Sequence, residues 1–480
     1  MSTPDFFRYR LDQMIDMRHR LVVLASRIPR AQVETALAPA LAHKHRQGCV
    51  VQDAELFGPT TQLAGSGVSK AGRPRLPVRL MVALLYLKHA FNESDQSLVQ
   101  RWSENPYWQF FSGLEYFKTH LPCDHTQIGR FRNLNGEAGV EELFKATIET
   151  AVRIKAIKPA PLEPVIVDTT VQEKAIAHPV DSRLLEIARA KVVQAAKAVG
   201  IELKQTCAKQ GKTLRRQAGG HAHARPYRRL KPAVKRQRTI LGVLLREVRR
   251  KLPATTSQNP PAHARLNTVL ERAERIDSQQ RTDKNKLYAL HAPEVECIGK
   301  GKARKPYEFG VKASIAVSHQ SGLIVGARTF AGNAYDGHTL AEQLEQTGIL
   351  LQDIGVKPQT AVVDLTYRGQ EAACAEAELI HRGKLKSLTQ VQRRWLKRRQ
   401  AIEPVTGHLK ADHRMDRCWL RGAVDDALHA VLCATGLNIG WLLRAIVRAA
   451  SRRFFCACKC CWAACVWSWI GQPAWLPPCS

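Results

Sequence analysis

Two short, strongly apolar runs, each with a single aspartate near its end, constrain the fold of this chain more than any other feature. The first extends from Pro164 to Val171 and carries Asp168, and the second begins at Thr360 and carries Asp364. Apolar, β-branched runs of this length predict buried strands. Since parallel neighbours in an α/β sheet end at one edge, we expect the two carboxylates to lie close together there.

The chain around these runs alternates between strand and helix patterns. Apolar segments on both sides of His319-Gln-Ser-Gly predict a β-hairpin, and a helical pattern follows it. The expected elements are a hairpin of residues 308–317 and 323–330, a helix to about Leu351, a helix from Gln370 to His381, a strand near Lys384 to Leu388 and a helix carrying Glu403. This order predicts the α/β class, with a mixed sheet.

Residues 399–410 place one carboxylate between two cations. Arg399 lies four residues before Glu403 and Lys410 seven after it, spacings that return side chains to nearly the same helix face. Pro404 is best placed in a first turn, so the helix is expected to begin at Glu403, with Arg399 in the preceding loop. Such a carboxylate suits a site that holds a metal ion beside a phosphate. The alternative is an ordinary solvated charged face.

The chain is strongly basic, with 73 Lys and Arg against 42 Asp and Glu and a formal charge of +31. Residues 191–251 contain 18 Lys and Arg and two acids, a net charge of +16. This excess favours a polyanionic partner, with DNA or RNA ahead of an acidic membrane surface. A merely solvated helical face is the alternative, but one so one-sided would repel itself without an anion.

The sequence also carries signals of cellular location. It starts without an apolar run of signal-peptide length, and seven cysteines are scattered singly, as in reduced intracellular proteins. The other six cysteines crowd the end of the chain without the usual spacing of a zinc site. The apolar run from Ala427 to Val447 includes polar residues, which favours a buried helix over a membrane span. We therefore expect a cytoplasmic protein.

The N-terminal part of the chain is predicted to be helical. Residues 1–70 are weakly patterned, whereas residues 71–155 read as short helices joined by tight turns. Asp124 caps a helix that carries Arg130 and Arg132. Basic residues on the last helix of such an array are typical of helix-turn-helix DNA readers. An ordinary helical bundle with the aromatic residues in its core is the alternative.

Asp168, Asp364 and Glu403 have a common chemical logic. Three carboxylates and the oxygens of a phosphate make the hard, oxygen-rich environment that Mg²⁺ or Mn²⁺ prefers. Two such ions about 4 Å apart activate a water or a 3′-hydroxyl and stabilise the leaving oxygen in displacement at phosphorus. The three acids therefore predict nucleotidyl transfer of the ribonuclease H-like type.

Five strings of residues carry a family resemblance. They are Ile166-Val-Asp-Thr-Thr-Val, Tyr307-Glu-Phe-Gly-Val-Lys, Gly332-Asn-Ala-Tyr-Asp-Gly-His-Thr-Leu, Val362-Val-Asp-Leu-Thr-Tyr-Arg-Gly and Ala401-Ile-Glu-Pro-Val-Thr-Gly-His-Leu-Lys. Over roughly residues 70–445 the chain resembles the bacterial insertion-sequence DDE transposases, specifically the insertion sequence five family. There are two departures. Leu396 stands where the family's signature has a tyrosine three residues before the arginine, and Thr366 stands where glycine is frequent.

The resemblance implies a domain plan. A ribonuclease H-like catalytic domain covers residues 160–445, and a basic helical insertion interrupts it at about residues 180–300. An all-α DNA-binding domain over residues 71–155 precedes it. Residues 446–480 form a divergent tail rich in cysteine and tryptophan.

The resemblance also implies roles for particular residues. Asp168, Asp364 and Glu403 would form a catalytic triad that binds two Mg²⁺ or Mn²⁺ ions. Cations would position DNA, namely Arg399, Lys410 and Arg368 at the site and Arg130 and Arg132 in the N-terminal domain. The implied protein binds the terminal inverted repeats of its insertion sequence, cuts there and joins the 3′-hydroxyl to target DNA. Synapsis of two ends implies a homodimer, in the bacterial cytoplasm at the nucleoid, with no membrane partner.

Two other functions remain as alternatives. The first alternative is a decayed, non-catalytic DNA-binding derivative of such a transposase. The second is a host ribonuclease H-like nuclease, which is less favoured because of the basic insertion. Three further acids are the most easily mistaken for catalytic ones. Asp336 is expected to cap the following helix, Glu173 lies past the strand end, and Asp412 lies nine residues after Glu403.

Overall fold

The structure of the protein is a computed structural model. It describes residues 9–41, 46–55, 58–67, 75–223, 227–252, 259–280, 282–299, 301, 305–370, 374 and 377–470.

The first part of the chain combines short helices with a β-hairpin. The helices are α1 (Leu11–Met14), α2 (Arg20–Arg27) and α3 (Arg30–Leu41), and the antiparallel strands are β1 (Arg46–Glu55) and β2 (Gly58–Gly67). The prediction that residues 1–70 are helical is therefore wrong for the hairpin. Each strand contains two consecutive β-branched residues, at 50–51 and 60–61, and such residues favour strands. The prediction gave this local preference too little weight against a weak helical pattern.

Four helices follow and are built around aromatic and aliphatic residues. They are α4 (Val78–Ala90), α5 (Asp95–Glu104), α6 (Pro106–Phe111) and α7 (His125–Arg153). Trp102, Trp108 and Phe111 are buried, so much of the aromatic cluster belongs to the core. Asp124 accepts a hydrogen bond from the Thr126 N–H and caps α7, as predicted.

Helix α7 is two helical segments joined at one glycine. Gly136 has φ 64° and ψ −166°, a conformation that residues with a Cβ rarely adopt. The first segment carries Arg130 and Arg132, and the second packs against the rest of the protein through Val140, Leu143 and Phe144.

The second part of the chain contains a six-stranded mixed sheet. Its strands are β3 (Pro164–Glu173), β4 (Glu296–Gly299), β5 (Tyr307–Ser318), β6 (Ile324–Phe330), β7 (Thr360–Val362) and β8 (Glu378–Ile380). β5 is antiparallel to β3, β4 and β6, and β7 is parallel to both β3 and β8. A meander of β3, β5 and β6 with two parallel strands beyond β3 is compatible with the ribonuclease H-like class expected from the sequence.

Four helices lie between β3 and β4 in the sequence. They are α8 (Asp181–Ala198), α9 (Ala208–His223), α10 (Tyr227–Lys251) and α11 (Pro260–Ser278). Their leucines, valines and alanines form a hydrophobic core distinct from that of the sheet. Helices α8 and α9 approach closely at Gly211, where a Cβ would lie 2.2 Å from a carboxylate oxygen of Glu186. That carboxylate is held by two hydrogen bonds from Arg189.

The remaining helices cover the sheet. They are α12 (Leu340–Leu351), α13 (Gln390–Arg398), α14 (Ile402–Ala411) and α15 (Ala423–Ile470). The Asn438 side chain on α15 accepts from the backbone N–H and donates to the carbonyl of Ile324, which ties α15 to β6. α15 also packs against α4 and α7, so the N-terminal helices and the sheet share one core.

One segment of α15 is long and apolar enough to cross a membrane. In Ala423–Ser451 the apolar window is 78% buried within the protein, which is the pattern of a core helix. The sequence had favoured a buried helix over residues 427–447 on the same grounds. Residues 471–480 of the predicted tail lie outside the described residues.

The segment after Asp364 departs from expectation. The predicted helix Gln370–His381 and strand Lys384–Leu388 are both wrong at their described residues. Instead, residues 378–380 form β8, and residues 382–384 form a 3-10 turn. β8 is only three residues long, and pairing with β7, rather than its own sequence pattern, defines it as a strand.

Candidate active site

Asp168 and Asp364 lie at the same level on neighbouring strands. β3 and β7 are parallel, with Ile166 opposite Val362, so each aspartate comes two residues after a paired position. β7 ends at Val362, and the Asp364 side chain caps the turn that follows by accepting from the Leu365 N–H at 2.8 Å. The predicted approach of these two acids at one edge of the sheet is therefore realised in the fold.

The guanidinium of Arg399 lies between the two carboxylates. Its nitrogens are 3.7 Å from an oxygen of Asp168 and 3.9 Å from an oxygen of Asp364. These separations are longer than hydrogen bonds, so the contact is ionic. The cation offsets the repulsion between the two anions without binding either tightly, and the aspartate side chains remain 31% and 43% exposed.

Two short helices position Arg399. α13 starts with a capping box between Thr389 and Gln392, and Arg398 at its end donates hydrogen bonds to the carbonyls of His319 and Gln320 in the β5–β6 turn. A 3-10 turn, Arg399–Ala401, then leads into α14. α14 packs against β3 and buries Ile402.

Leu396 occupies the position where the family's signature has tyrosine. It lies in the hydrophobic core, 9% exposed. Its aliphatic side chain makes no hydrogen bond, so in this chain the position contributes packing of α13. The neighbouring Trp395 provides a carbonyl at 3.2 Å from a ring nitrogen of His319.

Glu403 and Lys410 lie on α14. The helix begins at Ile402, one residue earlier than predicted, and Glu403 is exposed in its first turn. Lys410 is directed toward β5, where its ammonium nitrogen is 3.5 Å from Glu308. Among the described residues no group of three His, Cys, Asp or Glu side chains is close enough to hold a metal ion. The structure therefore brings together two of the three predicted acids, and Glu403 stands one helical turn after Arg399 rather than beside them.

The donor chemistry of the pair fits a divalent cation. Asp168 and Asp364 supply hard oxygen ligands, are partly exposed, and already attract one positive group, the Arg399 guanidinium. Mg²⁺ characteristically uses one or two protein carboxylates and completes its shell with water and substrate phosphate. The pair meets this requirement without a third acid in the described arrangement.

Sequence reasoning missed the role of Asp336. It was expected to cap a helix; instead it lies within a 3-10 turn, Asp336–Thr339, and its side chain accepts from Lys312 at 2.8 Å and from Thr169 at 2.9 Å. Thr169 follows Asp168 in β3, so this ion pair fixes the strand next to the site. The string Gly332-Asn-Ala-Tyr-Asp was the available signal.

Tyr367 closes the same region from the turn after Asp364. It is fully buried, and burial together with nearby Asp168 and Asp336 raises the pKa of its phenol. The phenol therefore stays protonated.

The other predicted residues have clear positions. Arg368 and Arg130 are exposed, whereas Arg132 is buried, 6% exposed. The prediction that Arg132 contacts DNA is contradicted by this burial, because a phosphate cannot reach its side chain. Glu173 pairs with Lys305 and Asp412 with His408, so neither belongs to the site.

Comparison with known proteins identifies the family of this chain. The model of the family described as "Transposase DDE domain" matches residues 275–439, and that described as "Transposase domain (DUF772)" matches residues 50–134. The chain is 41% identical over 223 residues to "Uncharacterized protein ORF8 in nfe locus" of Rhizobium meliloti, covering 46% of this chain and 95% of that protein. The chain belongs to the DDE transposases. No solved structure matches this transposase.

Membership relates the geometry to a known class of enzyme. The matched DDE segment contains Asp364 and Arg399 of the candidate site, together with Glu403 and Lys410, and β3 brings Asp168 from outside that segment. The transposase thus assembles its acidic pair across the parallel contact of β3 and β7.

Proposed function

We propose that this transposase binds the terminal inverted repeats of its own insertion sequence and catalyses metal-dependent DNA cleavage and strand transfer. The observation that carries the proposal is the level placement of Asp168 and Asp364 on parallel neighbouring strands, with Arg399 between them. A pair of carboxylates with a cation at hand matches the needs of phosphoryl transfer, in which the protein mainly positions groups and balances charge.

The chain's own residues divide this work. Asp168 and Asp364 would hold Mg²⁺ or Mn²⁺, and Glu403 would be the third acid. A bound divalent cation supplies Lewis acidity and lowers the pKa of the attacking water or hydroxyl. Arg399, loosely held at 3.7 and 3.9 Å, is available to leave the carboxylates and pair with a phosphate. Lys410 and Arg368 would position the DNA strand beside it.

The surfaces that would hold DNA are basic and lie away from the acidic pair. Helices α9 and α10 carry exposed cations without acids between them. These are Lys209, Lys212, Arg215, Arg216, Arg228, Arg229, Lys231, Lys235 and Arg236. Neutralising phosphates there releases counterions and adds affinity that does not depend on sequence. Arg130 on α7 would contact DNA in the N-terminal domain, and two copies of the protein would pair the two ends, in the bacterial cytoplasm.

A second candidate is a DNA-binding derivative without catalytic activity. It is favoured by the position of Glu403, which is not grouped with the other two acids among the described residues. The two candidates differ in cleavage and agree in DNA binding, so a single pair of measurements separates them.

The test uses a duplex carrying the element's ends. Asp364→Ala is expected to reduce nicking in Mg²⁺ by about 1,000-fold or more, because it removes a carboxylate that acts directly at the reacting centre. Binding measured in EDTA is expected to stay within about twofold, since the carboxylate repels phosphate rather than holding it.

Asp412→Ala is the matched control, because Asp412 is an exposed acid next to α14 whose side chain pairs with His408. It is expected to cut like the unaltered protein. Equal cutting by Asp364→Ala and Asp412→Ala would refute the assignment of Asp364. Binding without cutting by the unaltered protein would establish the second candidate.

A further inference from the structure

A groove at the junction of four segments lies outside the acidic site. It has a volume of about 1130 Å³ and is formed by α2 and the residues before it, the end of α7, the β5–β6 turn and residues 441–450 of α15. Its lining includes Arg18, Arg27, Arg153, Lys155 and Arg448, and its apolar residues include Val23 and Ile446. We call it the α7–α15 groove.

The charge of the α7–α15 groove is one-sided. Five of its lining residues are cations, and no carboxylate is among them in the described part of the chain. The exposed Arg249, by contrast, has an acidic neighbour, Glu274. One groove cation has a structural task, since Arg153 donates to the carbonyl of Arg27. A concave, unbalanced cluster of this kind attracts polyanions.

Lys155 gives a second, independent sign of function. It has φ 57°, the left-handed region, and its N–H donates to the Val152 carbonyl at the end of α7. Glycine is the usual residue at such a helix end, because a Cβ is disfavoured there. The wall of this cationic groove therefore carries a lysine at a position where glycine would be less strained.

The α7–α15 groove is joined to the active site through one side chain. Gln320 and Ser321 of the β5–β6 turn line it, and Arg398 donates to the Gln320 carbonyl. The next residue is Arg399, which lies against Asp168 and Asp364. A long ligand in the groove would therefore end beside the helices that carry the site.

The exposure of aromatic rings in the groove distinguishes a site for duplex DNA from a site for single-stranded DNA. Proteins that hold single strands expose aromatic faces on which bases stack. The aromatic residue here is Trp441, which is 9% exposed and donates its indole N–H to the Ser321 carbonyl. It offers no ring for stacking, so the groove fits the sugar-phosphate backbone of a duplex.

We infer that the α7–α15 groove binds the backbone of double-stranded DNA beside the scissile end, an inference that rests on the proposed function. The contacts are between phosphates and the groove cations, so they carry no sequence information. They anchor the duplex on the opposite side of the β5–β6 turn from Arg399 and so set the direction in which it leaves the site.

The test measures binding of a fluorescent 40-base-pair duplex in EDTA over a range of salt concentrations. The groove variant is Lys155→Gly with Arg448→Gln, and the control is Lys357→Gln with Lys386→Gln, two exposed lysines outside the groove and outside the basic helices. Losing two phosphate contacts is expected to reduce the slope of log affinity against log salt by about 2 and the affinity by about tenfold. The control is expected to match the unaltered protein.

A loss of DNA affinity can be distinguished from a loss of folding stability. Glycine suits the left-handed conformation at 155, so the thermal unfolding midpoint of Lys155→Gly is expected to be unchanged or higher while its DNA affinity falls. A lower affinity with an undiminished midpoint supports the groove.

Three outcomes overturn the inference. If the unaltered protein cuts element ends and the groove variant binds duplex with the same salt slope, the groove is wrong and the proposed function stands. If the unaltered protein binds no duplex, the proposed function fails and this inference with it. If the variant loses binding only to single-stranded DNA or to phosphatidylglycerol vesicles, the ligand is not duplex DNA.

Discussion

Two charged side chains of one extended segment, Asp168 in β3 and Lys174 directly after it, lie in opposite environments. Asp168 and Lys174 are six residues apart, which places them on the same side of an extended chain. Asp168 is 31% exposed and its ionic contact with Arg399 is 3.7 Å long. Lys174 is 2% exposed, lies 2.5 Å from Asp426 and 2.9 Å from Glu294, and donates to the Leu420 carbonyl.

The difference separates charge used for folding from charge used for binding. The three N–H donors of the Lys174 ammonium group are occupied by Asp426 of α15, the Leu420 carbonyl and Glu294. The ammonium group therefore has no donor left for a ligand. Arg399 and its two aspartates are loosely arranged at the edge of the sheet, so they can exchange partners without disturbing the core. Removing a partner of Lys174 should therefore reduce stability, whereas removing one of the aspartates beside Arg399 should reduce activity.

The largest effect on stability is expected for Asp426→Ala. It leaves the buried Lys174 ammonium with one carboxylate fewer, and breaking a buried pair costs about 3 kcal/mol. Urea unfolding measures this free energy, with the adjacent, less buried Asp425→Ala as the control. A loss below about 1 kcal/mol would mean that the ion pairs of Lys174 contribute no more to stability than the exposed ionic contacts of Arg399 with the aspartates.

The next effect concerns pH and the fully buried His89 and His429. Burial lowers the pKa of both imidazoles, that of His429 to about 3. Below pH 6.5 the unfolded chain binds protons that the folded protein excludes, so stability is present above that pH and lost as pH falls. The opposing uptake by Asp426, whose pKa burial raises to about 6, is smaller. We expect a net loss of about 1.3 kcal/mol between pH 6.5 and 5.5.

Thermal unfolding at a series of pH values checks this dependence. His429→Gln removes one of the two main groups while keeping a polar side chain beside Gln172, to whose side chain His429 is hydrogen-bonded. It is expected to reduce that loss by about 1 kcal/mol. An unchanged slope in this variant would assign the pH dependence to other groups.

The smallest effect is expected at Asp364, which follows β7 and shares Arg399 with Asp168. Asp364→Asn removes a half-exposed charge whose ionic contact with Arg399 is 3.9 Å long, so stability should change by less than about 0.5 kcal/mol. The same urea experiment measures it. A loss comparable to that of Asp426→Ala would show that Arg399 and the aspartates are a structural network, which would weaken their assignment to catalysis.

The sequence predicted the site where chemistry and local pattern coincide. Asp168 and Asp364 were predicted to lie close together because each is the single acid of an apolar run, and the parallel pairing of β3 and β7 places them at the same level. The start of α14 was predicted to within one residue because Pro404 restricts where a helix can begin. The role of Asp336 was not found, because its partners Lys312 and Thr169 lie 24 and 167 residues away.

By itself the sequence determined strands β3, β5, β6 and β7 of the sheet, the cap of α7 and the basic character of the helices between β3 and β4, since each follows from residues close together in the chain. Only the tertiary structure decided that residues 378–380 pair as a strand, that Arg132 is buried, and that Arg399 rather than Glu403 stands between the aspartates. Those outcomes depend on packing between distant segments, where burial and the balance of charge overrule the preferences of any one stretch.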